Sequence, residues 1–103
     1  MDKRYRVETR IDGFILDECD TLEQARELIR AYEKEDEEEE NVLLDEIRQS
    51  LKGCYDNADE LEDYIQSNRY QIIYKDYTNK EIRRIKWDGF YKIYDTIGAD
   101  EVV

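Results

Sequence analysis

The densest chemistry in this chain is carboxylate. The stretch "EKEDEEEE", residues 33–40, places seven acids in eight positions: Glu33, Glu35, Asp36, Glu37, Glu38, Glu39 and Glu40. Asp45 and Glu46 follow, and "DNADELED" adds Asp56, Asp59, Glu60, Glu62 and Asp63. Clustered carboxylates can relay protons, hold a hard cation, or present an anionic face to a basic partner. Proton relay is poorly served. The chain has no histidine, which removes the side chain most used near neutral pH and every Ser-His or Cys-His nucleophile. A carboxylate-only enzyme needs two acids in contrasting environments, and no such pair stands out, so no catalytic residue is expected. A calcium loop needs acids at alternating positions, a glycine and a distal glutamate; "DNADELED" lacks the glycine, and Asn57 with Glu60 reads as a helix cap. Cys19 and Cys54 form no C-x-x-C pair and have no histidine to complete a zinc site, so both are expected as small buried hydrophobes. No metal and no cofactor are expected. Recognition is the remaining use.

Charge is distributed unevenly. The 103 residues carry a net −12, with 43% charged and 40% apolar residues, enough for one modest core in a single domain, residues 1–103. From Asp17 to Asp63 there are 19 acids and five bases, a net of −14; the rest of the chain has nine acids and 11 bases, a net of +2. Solubility asks only for a net charge of about 2 to 8 in a small domain. The bases of "KRYRVETR" and "KEIRRIK" are outweighed by this field, so direct nucleic-acid binding is not expected. Of the nine tyrosines and one tryptophan, Tyr5, Tyr70, Tyr74 and Trp87 suit a core or sheet face. Tyr55, Tyr77, Tyr91 and Tyr94 are expected nearer turns and strand ends. No apolar run approaches the ~20 residues of a membrane span, and "MDKRYRVETR" lacks a signal-peptide centre, so a soluble, cytoplasmic protein is expected.

The elements that must position these acids follow from periodicity. "IDGF" at 11–14 and "WDGF" at 87–90 read as hairpin turns, because Asp-Gly favours positive φ. "YRVETRI" alternates, with Tyr5, Val7, Thr9 and Ile11 on one face, and "FILDEC" returns as its partner strand. "RYQIIYKDY", "EIRRIKW" and "FYKIYD" read as three further strands around the second Asp-Gly. Between the hairpins, Thr21 with Gln24 forms a capping box ahead of Leu22, Ala25, Ile29 and Tyr32, with Leu28 widening the stripe. A second helix carries Leu44, Ile47 and Leu51 with Gly53 as its C-cap. A third begins after Asn57, carries Ala58, Leu61, Tyr64 and Ile65, and stops near Ser67–Asn68. The acid run becomes a solvated connection between the first two helices. The order β-β-α-α-α-β-β-β describes an α+β fold, a mainly antiparallel sheet with an acidic three-helix insert.

In size, acidity and lack of catalytic residues, Asp17–Asp63 resembles the small phage-encoded DNA-mimic inhibitors of the anti-CRISPR and anti-restriction type. The resemblance is compositional, rests on no motif, and transfers no individual residue role. It implies a noncatalytic inhibitor whose acids occupy a basic, nucleic-acid-binding groove of a partner, such as a nuclease or its nucleoprotein complex. The competing reading is a small regulatory domain that binds partners through a sheet edge or exposed tyrosines, with the acids serving solubility.

Overall fold

Helix caps and one hairpin set the frame. A computed structural model describes residues 3–102. Strand β1 (Tyr5–Thr9) pairs antiparallel with β2 (Ile15–Cys19). The Thr9 N–H donates to the Phe14 carbonyl at 2.9 Å, the Phe14 N–H donates to the Thr9 hydroxyl at 3.0 Å, and Gly13 holds φ +72°. The first Asp-Gly is therefore a hairpin turn, and the buried Thr9 hydroxyl is satisfied within it. Helix α1 (Leu22–Leu51) follows, then a 3₁₀ turn at Lys52–Cys54, α2 (Ala58–Ser67), α3 (Arg69–Ile73), α4 (Asn79–Asp88), β3 (Tyr91–Asp95) and β4 (Asp100–Val102). The four strands form one antiparallel sheet in the order β2-β1-β3-β4. The fold is α+β.

Several local expectations change. The two helices flanking the acid run are one, α1, running 30 residues without interruption. Glutamate is a good helix former, no glycine or proline intervenes, and the Thr21–Gln24 capping box closes the amino end. Gly53 lies in the 3₁₀ turn rather than capping the helix. "RYQII" and "NKEIRRIKWD" are helices α3 and α4, not strands. In α4 the buried Ile82 and Ile85 are three apart, a helical spacing, and Thr78 with Glu81 makes a second reciprocal capping box. The second Asp-Gly is consequently a helix end: the Gly89 N–H donates to the Ile85 carbonyl at 2.8 Å with φ +89°. Because Ile82 and Ile85 take the inward face of α4, Trp87 points out and is 83% exposed rather than in the core.

Packing produces two small cores joined by α1. Its amino-terminal half covers one sheet face, where Val7, Cys19, Ala25 and Ile93 are buried with Tyr5, Ile29 and Tyr32 against them. Its carboxy-terminal half packs Leu44 against Leu61 and Ile65 of α2, with Ile72 of α3 alongside. Cys19 is thus a core residue as expected, whereas Cys54 is exposed, and neither is in a disulfide. The other sheet face alternates charge. Arg6 lies between Glu18 (Nε to Oε1, 3.8 Å) and the Tyr94 ring, 5.8 Å from its centroid.

Arg10 ties the hairpin to the end of α4. Its guanidinium donates to the carbonyls of Asp88 and Gly89 at 3.1 Å each and pairs with Glu101 of β4, with only 7% of the side chain exposed. A fixed positive charge on carbonyls that end a helix is favourable in both hydrogen bonding and dipole terms. With the Tyr91 carbonyl, 3.4 Å from Nη2, four acceptors surround one planar fork, more than the three N–H groups of an ammonium can serve.

Two predictions follow from these anchors. Neither Gly13 nor Gly89 has an atom that would clash with an added Cβ, the nearest being the Tyr91 carbonyl oxygen, 3.9 Å from a Cβ placed at position 89, so the penalty there is torsional. Gly13→Ala and Gly89→Ala should each destabilise by about 1–3 kcal/mol in urea denaturation; parent-like midpoints would refute the turn and cap assignments. Arg10→Lys should destabilise by about 1–2 kcal/mol, since it leaves part-buried acceptors without a donor; an unchanged melting temperature would show the guanidinium network to be dispensable.

Candidate functional site

The register of α1 sorts the acid run into faces. The stripe that buries Ala25, Ile29 and Tyr32 continues through Asp36, Glu40, Leu43, Leu44, Ile47 and Leu51 at spacings of three and four. Asp36 and Glu40 are therefore inward and half-buried. Asp36 accepts a hydrogen bond from the Tyr91 hydroxyl of β3, and Glu40 pairs with Arg69 of α3 at 3.0 Å. On the opposite face, Glu35, Glu38, Glu39, Asp45 and Glu46 follow the same three-four rhythm and are exposed, with the 60%-exposed Val42 in their midst. Glu33 and Glu37 sit on the flank between the two faces, also exposed.

The outward strip is dense. From Glu33 to Glu46 the helix rises roughly 20 Å and, without the inward Asp36 and Glu40, presents seven acids and one base, about one net charge per 3 Å. Duplex DNA carries one per ~1.7 Å. At its carboxy-terminal end the strip meets α2. Arg48 makes a two-pronged pair with Glu62 (Nε to Oε2 2.7 Å, Nη2 to Oε1 2.8 Å) and a further contact with Asp45. The guanidinium, and then the amide of Gln66, hold the Glu62 carboxyl down at about 2. Asp56, Asp59, Glu60 and Asp63 are exposed around the start and outer side of α2. Asp59 and Glu60 also favour the first turn through the helix dipole, beside the Asn57 cap that accepts from the Asp59 N–H at 2.7 Å.

Of the acids expected to face a partner, Glu33, Glu35, Glu37, Glu38, Glu39, Glu46, Asp56, Asp59, Glu60 and Asp63 are exposed. Asp36, Glu40 and Glu62 are instead half-buried and engaged within the chain, and Asp45, though exposed, pairs with Arg48.

Behind the inward acids lies a cleft of about 490 Å³. One wall is α1, with Glu33, Asp36, Glu37 and Glu40; the other is aromatic, with Tyr70, Tyr74, Phe90 and Tyr91. The rings form a continuous chain: Tyr70 stacks on Tyr74 at 6.3 Å, Tyr74 on Phe90 at 5.7 Å, Phe90 meets Tyr91 edge-on at 5.1 Å, and Tyr91 stacks on Tyr32 at 5.5 Å. Tyr77 joins from the side, donating to Asp12 at 2.8 Å; burial and then that acceptor push its hydroxyl up to about 12. Burial and then the Asp36 hydrogen bond push the Tyr91 hydroxyl well above its ordinary 10. Tyr77 and Tyr91 are half-buried members of this cluster rather than turn-exposed residues. The sequence signal for the cleft was present in α1: two acids on a stripe whose neighbours are apolar.

Compared with known proteins, the chain matches no family model, no curated protein and no solved structure.

Glu62 gives a pH prediction of definite sign. Its carboxyl is lowered from 4.5 to about 2, so its pairing stabilises fully above pH 4.5 and is lost as pH falls towards 2. Glu62→Gln should lower the melting temperature relative to the parent near pH 6, and the gap should close by about pH 2. A gap that persists at pH 2, or none at pH 6, would contradict this pairing.

Proposed function

We propose that the chain is a noncatalytic inhibitor whose outward acid strip occupies a basic, nucleic-acid-binding groove of a partner protein. The observation that carries the reading is the unbroken helix through residues 33–40, which holds its outward carboxylates in fixed register at about half the linear charge density of a duplex. A flexible acidic loop would serve solubility equally well; a rigid one also lowers the entropy lost when its charges meet fixed counter-charges. The shape agrees. The molecule measures 59 × 24 × 18 Å, with a radius of gyration of 17.1 Å against about 13 Å for a compact chain of this length. This is the behaviour that the likeness in composition to anti-CRISPR and anti-restriction inhibitors implies. No described helix is long and apolar enough to cross a membrane.

A second reading has one observation in its favour. Strand β2 is a sheet edge, and Phe14 just before it and Ile15 and Leu16 within it are 68%, 52% and 40% exposed. An extended segment of a partner could add there as a fifth strand.

Competition separates the two. Proteins retained on the immobilised chain at low salt are challenged with duplex DNA of increasing concentration. Release by the duplex, with affinity falling as salt rises, is the expected result. A stable ternary complex indifferent to salt would overturn strip occupancy. Replacing Glu35, Glu38, Glu39 and Glu46 with lysine should weaken retention by about a hundredfold or more while leaving the fold intact; full retention by that variant would move the site to β2.

A further inference from the structure

The cleft behind α1 lies on the side away from the outermost acids of the strip, Glu35, Glu38, Glu39 and Glu46, and shares only the flanking Glu33 and Glu37 with it. Its position on the helix is unusual. Asp36 and Glu40 stand where the inward stripe is otherwise apolar, between Tyr32 and Leu43. Apolar residues at these two positions would extend the stripe and bring the two cores together. Acids there keep a polar opening beside an aromatic wall, and polar residues at core positions usually mark a functional requirement.

We propose that this cleft binds an organic cation, an alkylammonium or guanidinium group, between the α1 carboxylates and the rings of Tyr74, Phe90 and Tyr91. Three features of the cleft support the assignment. Its four carboxylates face one guanidinium, Arg69, so its lining is strongly negative. Asp36 accepts one hydrogen bond from Tyr91 and Glu40 pairs with Arg69, yet a carboxylate offers about four acceptor sites, so both retain capacity. Aromatic faces attract cations while tolerating their methylenes, and one ring already does this: the Lys86 ammonium lies 5.6 Å over the centroid of Tyr70 at the edge of the cleft.

The class of cation follows from the spacing of the donors. No group of three or more acidic, cysteine or histidine side chains converges closely enough to hold a metal ion among the described residues. The carboxylates are instead spread along two turns of helix opposite a ring wall. That arrangement suits an elongated cation whose charge and apolar stem are recognised separately. A volume of about 490 Å³ falls in the range of about 300–1,000 Å³ usual for small-ligand sites. A free polyamine and an arginine side chain of another protein share this chemistry. The cation site stands whether or not the outward strip binds a nucleic-acid-binding partner.

The test is titration of the full chain by NMR with spermidine and, separately, with arginine amide, following the Tyr74, Phe90 and Tyr91 ring protons. Two double variants carry equal charge changes: Glu33→Gln with Glu37→Gln on the cleft wall, and Glu35→Gln with Glu38→Gln on the opposite face. The expected result is saturable binding with shifts centred on those rings, weakened about fivefold by the cleft pair and less than about twofold by the outer pair. Tighter binding of arginine amide would assign the site to a partner's side chain, and tighter binding of spermidine to a free polyamine. Equal weakening by both pairs, shifts spread evenly along the acids, or no saturation with either probe would show only diffuse counterion attraction and overturn the cleft site.

Discussion

Everything in this molecule hangs on α1 staying helical through its own repulsion. Within residues 33–40, like charges face each other at i,i+4 in 33–37, 35–39 and 36–40, and at i,i+3 in 33–36, 35–38, 36–39 and 37–40. At a few tenths of a kcal/mol per pair this costs roughly 2–3 kcal/mol, a large fraction of the stability of a small domain. Neither core is large enough to be indifferent to that loss. The helix survives because both ends are held by burial, Ala25 on the sheet and Leu44 on α2, and because Asp36 and Glu40 find Tyr91 and Arg69 at its midpoint. Breaking the helix at the run would separate the cores, dissolve the outward strip and open the cleft at once.

The aromatic chain is the second tie. It runs from Tyr32 on α1 through Tyr91 and Phe90 at the start of β3 to Tyr74 and Tyr70 around α3. Stacked and edge-on ring pairs add about 0.5–1.5 kcal/mol each beyond the area they bury. They do so where apolar aliphatic packing is thin, between the two cores. Arg10 works on the same junction from the sheet side by holding the carbonyls that end α4. With β3 paired to both β1 and β4, an error in the α4–β3 corner would propagate to both of its neighbours.

Much of this was legible in the chain, and the failures have physical causes. The α+β class, the first hairpin, both helix starts at Thr21 and Asn57, and the inward residues Val7, Ala25, Leu44, Leu61 and Ile65 follow from period and capping alone. "RYQIIYKDY" misled because β-branched and aromatic residues signal a strand only where a sheet is available to receive them. In α3 they serve ring stacking instead. "EIRRIKW" misled because a following Asp-Gly suggested a hairpin, although Thr78 and Glu81 carry the same capping grammar as Thr21 and Gln24. The run at 33–40 looks like a connection because repulsion is visible in a sequence, whereas the partners that offset it, Arg69 and Tyr91, lie 29 and 55 residues away. The acid wall of the cleft is signalled by the α1 stripe, but its aromatic wall is not, because it is assembled from α3, β3 and the residues beside them.

The two faces of the acid run are coupled through the helix that carries both. Counter-charge placed in the cleft would neutralise Asp36 and Glu40 from the inside, relieve four of the seven repulsive pairs, and stabilise α1 by mass action. Under the proposed reading the outward strip would serve a partner only while that helix is intact, since its register is the helix register. A cation on the inner face and a basic groove on the outer face would therefore reinforce each other without touching, each binding the ordered helix better than a frayed one. Salt acts on the same two processes with opposite sign: it screens the repulsion that threatens the helix and also the attraction that would bring a partner to it. An acidic helix built this way holds its charges in place at the expense of its own stability, which is what a surface intended for recognition rather than solubility would require.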